Sequence, residues 1–210
     1  ESIIDELLKQ GATNCNNRNF IQAEECYRKI IKLKPNHVGA HNNLGIILQA
    51  LGKLDEAELS FKKTIELNPN HVIAYNNLGI IFQSLGKLKE AEKCYRKTIE
   101  LKPNHIGAYN NLGTILQLLG RFDEAELNFR KIIKLKPDFA MAFSNLGITV
   151  ERLGRINEAK EILKKAMALD SNNKKTVIAY GELLLKLNDH NEGLNLISQA
   201  QGVIEFNQKN

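Results

Sequence analysis

The stretch AYNNLGIIFQSLGKLKEAEKCYRKTIELKPN, residues Ala74 to Asn104, sets the pattern of the whole chain. It holds two segments of helical length with apolar residues at helical spacing, separated by a turn at Gly86, and Pro103 follows the second segment. Glycine supplies the backbone freedom that a helix end needs, and proline cannot continue a helix interior. The stretch therefore predicts two helices joined by a tight turn, with a break after the second.

The same pattern recurs with a period of 34 residues. We divide the chain into six units, which are 4–37, 38–71, 72–105, 106–139, 140–173 and 174–207. The end units depart from the pattern, since Gln10 stands where Leu is expected and Gly193 stands where Ala is expected. Such departures are typical of terminal repeats, because one of their faces meets water.

The pattern resembles the tetratricopeptide repeat. In the best copy the family signature is carried by Tyr75, Leu78, Gly79, Phe82, Ala91, Tyr95 and Pro103. Thr98 replaces the last Ala of that signature. The resemblance covers nearly the whole chain and implies an all-α fold, a right-handed superhelical solenoid of about six stacked helix pairs. We expect Gly79 and Ala91 to let the two helices of a pair approach closely, and Tyr95 to fill the space beneath the next pair.

We expect residues 1–210 to form one solenoid domain. The chain begins at Glu1 without an initiator Met, so we expect it to be a fragment of a larger protein.

Composition excludes several classes of function. The formal net charge is only +5 over 210 residues and is spread along the chain, which does not favour a nucleic-acid partner. No apolar run approaches the roughly 20 residues that span a bilayer, so we expect no membrane partner. Three unpaired cysteines are typical of a reducing compartment, and we expect a cytoplasmic protein.

Carboxamides recur on the first segment of the four central units, and we call them, with the residues between them, the amide stripe. Numbering each unit from its first residue, position six holds Asn43, Asn77, Asn111 and Asn145; position five holds Asn42, Asn76 and Asn110; position twelve holds Gln49, Gln83 and Gln117; position nine includes Ile80 and Thr114. Residues three or four apart share one face of a helix. In tetratricopeptide arrays this face lines the concave groove.

The amide stripe is predicted to bind peptide. Asn is a mediocre helix former, worse than Ala by roughly 0.5 kcal/mol, so another factor must favour these side chains. A carboxamide can pair with both the N–H and the C=O of an extended peptide. The ladder at position six is similar to that in the tetratricopeptide superhelix of the O-linked N-acetylglucosamine transferases, which implies binding to peptide backbone. The alternative is structural: the amides satisfy the helix backbone locally, or record recent duplication.

We therefore predict a protein-interaction scaffold that binds extended peptide segments in its groove, and that serves as the targeting domain of a larger enzyme. The chain shows no nucleophile elbow, phosphate-binding loop or zinc motif, so we expect no enzyme activity and no cofactor.

Some tetratricopeptide domains hold a C-terminal carboxylate with Lys, Arg and Asn. The central groove offers Asn43 and Asn77 but no paired cation, and Lys9 and Arg152 lie towards opposite ends. We therefore expect an uncharged groove.

Other candidate residues have a structural interpretation. His37, His71 and His105 recur at unit boundaries, and the spacing of His37 and His41 would suit a shared metal ion, but no third ligand accompanies them. We expect no metal site. Cys26 and Cys94 are interpreted as small, half-buried residues.

The second segments carry acidic residues early and basic residues late, as in Glu58 and Lys62, which favours ion pairs one helical turn apart. A solvated outer face is the preferred interpretation of the basic residues, and a surface for acidic partners is the other.

Self-assembly is the alternative function. Val203, Ile204 and Phe206 would leave apolar surface near one end, through which terminal faces can stack.

Overall fold

The computed structural model describes residues 2–202, and this part of the chain contains twelve α-helices and no β-strand. In chain order the helices are α1 Ile3–Asn16, α2 Phe20–Leu33, α3 Val38–Ala50, α4 Leu54–Leu67, α5 Val72–Ser84, α6 Leu88–Leu101, α7 Ile106–Leu118, α8 Phe122–Leu135, α9 Ala140–Arg152, α10 Ile156–Leu169, α11 Lys174–Lys186 and α12 His190–Gln201. Each predicted unit supplies two consecutive helices.

The chain divides into two compact units, with the boundary between Ala108 and Tyr109 in the first turn of α7. We call them the N-terminal unit and the C-terminal unit. In the N-terminal unit consecutive helices pack against each other from α1 through to α6, and in the C-terminal unit they do so from α8 through to α12. The predicted all-α fold of stacked helix pairs is therefore confirmed within each unit, while the expectation of one domain stays a prediction.

Close contact between the two helices of a pair depends on glycine. A Cβ atom added to Gly79 of α5 would lie 2.6 Å from Cε1 of Tyr95 in α6, and one added to Gly113 of α7 would lie 2.6 Å from Cζ of Phe129 in α8. Both rings are fully buried. The Tyr95 ring thus packs against the first helix of its own pair.

The turns within pairs are as predicted. The four residues Gly52, Gly86, Gly120 and Gly154 have φ between +72° and +80°. In the end pairs the same left-handed position is held by Arg18, with φ 58°, and by Asn188, with φ 62°. The terminal repeats therefore keep the turn without glycine.

The recurring histidines begin helices. Nδ1 of His37 accepts a hydrogen bond from the backbone N–H of Ala40 at 3.0 Å, and Nδ1 of His71 accepts one from Ala74 at 3.1 Å. Among residues 2–202 no three His, Cys, Asp or Glu side chains cluster in a way that could hold a metal ion. No helix in that range is both long enough and apolar enough to cross a membrane.

The cysteine interpretation needs a correction. Cys26 and Cys94 are 7% and 8% exposed, so both are buried rather than half-buried. Burial raises the pKa of the Cys94 thiol to about 12. This thiol therefore contributes to packing in the helix interface and is not a reactive group.

Candidate functional site

In the N-terminal unit the paired asparagines bond to each other. Nδ2 of Asn42 donates to Oδ1 of Asn43 at 3.2 Å, and Nδ2 of Asn76 donates to Oδ1 of Asn77 at 3.3 Å. The Oδ1 atoms of Asn42 and Asn76 are buried without a hydrogen-bond partner, a state that costs about 1–3 kcal/mol per group. The Oδ1 atoms of Asn42 and Asn76 thus point into the protein, while their Nδ2 atoms hold the half-buried asparagine at position six.

Tyrosines of the second helices also touch the stripe. Burial, together with Cys15, raises the pKa of the Tyr27 hydroxyl to about 12, although Asn43 of the next pair opposes this rise. The hydroxyl of Tyr95 donates to Oε1 of Gln83 at 3.0 Å. Part of the hydrogen-bonding capacity of the stripe therefore joins helices to one another, as the structural alternative predicts.

In the C-terminal unit the stripe is more heavily engaged. Asn145 is only 5% exposed, its Nδ2 donates to Oδ1 of Asn110 at 3.1 Å, and its Oδ1 accepts from Nζ of Lys175 at 3.1 Å. Nε2 of Gln117 donates to the backbone oxygen of Asn145 at 3.2 Å and to Oγ1 of Thr149 at 2.7 Å. Asn145 therefore connects neighbouring helix pairs and offers little surface to a ligand.

The predicted site residues differ in accessibility. Asn42 and Asn145 are buried, whereas the remaining members are half-buried, namely Asn43, Asn76, Asn77, Asn110, Asn111, Gln49, Gln83, Gln117, Ile80 and Thr114. Thr114 uses its hydroxyl within its own helix, where it donates to the backbone oxygen of Asn110 at 3.0 Å.

Exposed aliphatic side chains lie on the same helices as the amides. Ile73 of α5 is 54% exposed, and Leu118 of α7 is 63% exposed. They stand at positions two and thirteen, which helical periodicity places beside the stripe. These residues were not among the predicted site residues, although the same periodicity contains the signal that finds them.

The C-terminal unit also contains a charged cavity. Its volume is about 580 Å³, and it lies between α9 and α11, with Arg152 and Lys175 both in its lining. Sequence reasoning singled out Arg152 but missed Lys175, because the last unit departs from the repeat pattern and its position two is not amide or aliphatic. The expected lack of charge therefore does not extend to this part of the stripe.

The opposite faces of the helix pairs carry ion pairs that continue from one pair to the next. Glu58 accepts from Lys62 at 2.6 Å within α4 and from Lys87 of the next pair at 2.9 Å. Hydrogen bonds from these two lysines hold the pKa of the Glu58 carboxyl below its ordinary value although burial opposes them. The predicted ion pair of Glu58 with Lys62 is present, and the second partner of Glu58, Lys87, comes from the following repeat. The charges of Lys62 and Lys87 are thus neutralised within the chain, which favours the solvated interpretation for these residues.

Comparison with known proteins agrees with this architecture. Models of the tetratricopeptide repeat match residues 38–104, 70–138 and 106–172, and further ones match residues 152–202 and 16–37. No curated protein sequence matches the chain closely enough to count as a relative.

Solved structures are similar over most of their length. MamA is 28% identical with a TM-score of 0.74, and the match covers 79% of this chain and 96% of that one. A tetratricopeptide repeat protein from Parabacteroides merdae ATCC 43184 is 19% identical with a TM-score of 0.85, covering 97% and 80%. YrrB, described as a TPR protein with an unusual peptide-binding site, is 19% identical with a TM-score of 0.72, covering 86% and 93%. The last two likenesses concern the fold alone.

The matched repeats span more than half of the chain and coincide with the observed helix pairs. The chain therefore belongs to the tetratricopeptide repeat family, and its helix pairs form a protein-interaction scaffold.

Proposed function

We propose that this scaffold holds an extended peptide segment along the amide stripe, and that it serves to bring a protein partner to a larger assembly or enzyme. The observation that carries this proposal is that a half-buried, uncharged amide recurs at the same position of three successive repeats, in Asn43, Asn77 and Asn111. Exposed aliphatic side chains lie beside it, as with Ile46 and Ile73. Amides suit the peptide backbone, and aliphatic patches suit its side chains.

Hydrogen-bonding capacity supports this use of Asn43. A carboxamide offers two donor hydrogens and two acceptor lone pairs. Asn43 accepts a hydrogen bond from Asn42 and makes no other side-chain hydrogen bond with a described residue. Both donor hydrogens and one acceptor lone pair therefore remain for a ligand, on a side chain whose orientation is held by its neighbour. Asn42, buried beneath it, acts in this proposal as a support rather than as a ligand contact.

A solved structure with a similar fold also supports the proposal. YrrB is described as having an unusual peptide-binding site on tetratricopeptide repeats. We take from it only that this fold can present such a site.

The test is a titration with a pool of random-sequence peptides that are acetylated and amidated at their ends. Binding is monitored by fluorescence anisotropy. The double variant Asn43→Ala with Asn77→Ala is expected to weaken binding at least about tenfold, because several hydrogen bonds worth about 0.5–1.5 kcal/mol each are lost. The matched control is Asn36→Ala with Asn104→Ala, which removes two exposed asparagines outside the stripe. Equal binding by the wild type and the stripe variant, or no saturable binding by either, contradicts the proposal.

Self-association is the alternative function. The apolar residues on which it was predicted, Val203, Ile204 and Phe206, lie outside the described residues. On α1 a cavity of about 380 Å³ is lined by polar side chains that include Gln10, Thr13 and Asn14, and such a surface does not favour apolar stacking there. Light scattering over a concentration series decides the matter, since a monomer at high concentration excludes it. The cytoplasmic location and the absence of a nucleic-acid partner also stay predictions.

A further inference from the structure

Two cavities adjoin each other in the C-terminal unit because they share the lining residues Ile148, Arg152 and Lys175. The larger, of about 580 Å³, lies against α11. The smaller, of about 310 Å³, lies against α7 and the start of α8. The two cations therefore lie where the two cavities meet, and we call the two adjoining cavities the depression.

Each cavity has its own apolar lining. Ile178 and Ala179 line the larger cavity, Leu118 and Phe122 line the smaller one, and Ile148 belongs to both. Since Leu118 is 63% exposed, its burial by a ligand would gain hydrophobic free energy. A ligand that fills both cavities therefore needs an apolar group on each side of the two cations.

The cations between the cavities lack a carboxylate partner. Arg152 is exposed and makes no hydrogen bond or ion pair with any described residue. Lys175 bonds only to the neutral amide oxygen of Asn145, at 3.1 Å. The nearby Glu151 is paired with Lys186 and is therefore not a counter-ion for them. Glu182 also lines the larger cavity but forms no ion pair with either cation, so the cations of this lining exceed its carboxylates by one charge.

We propose that this depression binds a peptide segment with a carboxylate side chain flanked at alternate positions by two aliphatic side chains. The inference rests on the proposed function, because it takes the ligand to be an extended peptide. In an extended chain, alternate side chains point to the same side at about 3.3 Å per residue, so the three side chains face the depression together. Because apolar cavities lie on both sides of the cations, the carboxylate belongs to an internal residue and not to a chain terminus.

The probe is an acetylated and amidated peptide with leucine, glutamate and leucine at alternate positions in a glycine-serine frame. It is compared with the same peptide carrying glutamine in place of glutamate, and with a free-acid peptide that has leucine but no glutamate. Because charge-assisted hydrogen bonds are the stronger ones, the glutamate peptide is expected to bind about tenfold more tightly than the glutamine peptide.

Variants of the protein supply the matched comparison. Arg152→Gln and Lys175→Gln are each expected to lower the affinity for the glutamate peptide about tenfold, while the affinity for the glutamine peptide stays unchanged. Lys174→Gln, which removes the adjacent exposed lysine outside the cavities, is expected to change neither. Glu182 lines the larger cavity, and its negative charge repels the glutamate of the peptide. Glu182→Gln is therefore expected to raise the affinity for the glutamate peptide about threefold. All four residues are exposed, and a thermal melt of each variant checks that it folds.

Three results would overturn the inference: equal affinity for the glutamate and glutamine peptides, equal losses in Lys174→Gln and Lys175→Gln, or binding that requires the free terminal carboxylate. Its failure is distinguishable from that of the proposed function. If the random pool binds through Asn43 and Asn77 without preference for the acidic peptide, only this inference is wrong. If no peptide binds saturably, both are wrong.

Discussion

Single histidines begin three of the helices, and their protonation state decides whether they can do so. Nδ1 of His105 accepts a hydrogen bond from the backbone N–H of Ala108 at 3.0 Å, as His37 and His71 do at their own helices. An accepting ring nitrogen carries no proton. Sequence reasoning gave these residues a structural role, but the 34-residue period alone does not show which atom the ring contacts.

This cap makes folding sensitive to pH near neutrality. Burial, with a smaller contribution from Lys102, lowers the pKa of His105 from its ordinary value of 6.5. As the pH falls below 6.5 the unfolded chain therefore takes up a proton before the folded chain does. Stability that is fully present above that pH is lost as the pH falls towards the folded pKa.

The prediction is checked by urea unfolding between about pH 8 and pH 5, a range set by the ordinary histidine pKa. The variant His105→Asn keeps a side chain that can cap the helix but does not titrate. It is expected to lose less stability over this range than the wild type. Parallel pH profiles of the two proteins would show that the cap at His105 is not the titrating contact.

At the scale of the element, the helix pair is defined by a glycine and the ring opposite it. Gly79 stands where a Cβ would lie 2.6 Å from the Tyr95 ring. Gly39, also helical, stands where a Cβ would lie 3.4 Å from Cε1 of His37, which is ordinary contact. The same substitution should therefore have opposite effects at the two positions.

Gly79→Ala is expected to destabilise the protein by about 1–3 kcal/mol, because the buried ring must shift to admit the methyl group. Gly39→Ala is expected to stabilise it by about 0.5–1 kcal/mol, because alanine restricts the unfolded chain and favours the helix. The measurement is the free energy of unfolding in urea. A loss of similar size at both positions would mean that the ring is not what requires glycine.

At the scale of the whole molecule, consecutive pairs within each unit are joined by charged groups. In the C-terminal unit Glu126 accepts from Arg130 of its own helix at 2.7 Å and from Arg155 of the next pair at 2.7 Å. Hydrogen bonds from Arg155 and then Arg130 hold the pKa of the Glu126 carboxyl below its ordinary value of 4.5. Its stabilising contribution is therefore present above pH 4.5 and is lost as the pH falls through the folded pKa.

Glu126→Gln is expected to lower the melting temperature in dilute buffer at pH 7, and the difference from wild type should shrink in about 1 M salt, where the Debye length is about 3 Å. Glu161→Gln, which changes an exposed carboxylate of α10, serves as the control and should have little effect at either salt concentration. A salt-independent loss in Glu126→Gln would indicate lost packing rather than lost charge pairing.

The sequence by itself determined the helix pairs, their turns and their close approach. These features depend on residues near one another in the chain, such as Gly86 at a positive φ or Gly79 against Tyr95, and the period repeats them until the pattern is unmistakable. It also determined which helix face carries the amides, because helical periodicity assigns faces without reference to the neighbours of a helix.

Only the tertiary structure decided which of those side chains remain available to a ligand. Asn145 is buried by contacts with Asn110 and Lys175, which lie 35 and 30 residues away. The tertiary structure likewise brought Lys175 beside Arg152, across the boundary between the last two repeats, where the repeat pattern fails. The physical reason is that each helix pair completes its hydrogen bonds and ion pairs with the pair beside it, so the chemistry of the surface depends on packed neighbours and not on a single repeat.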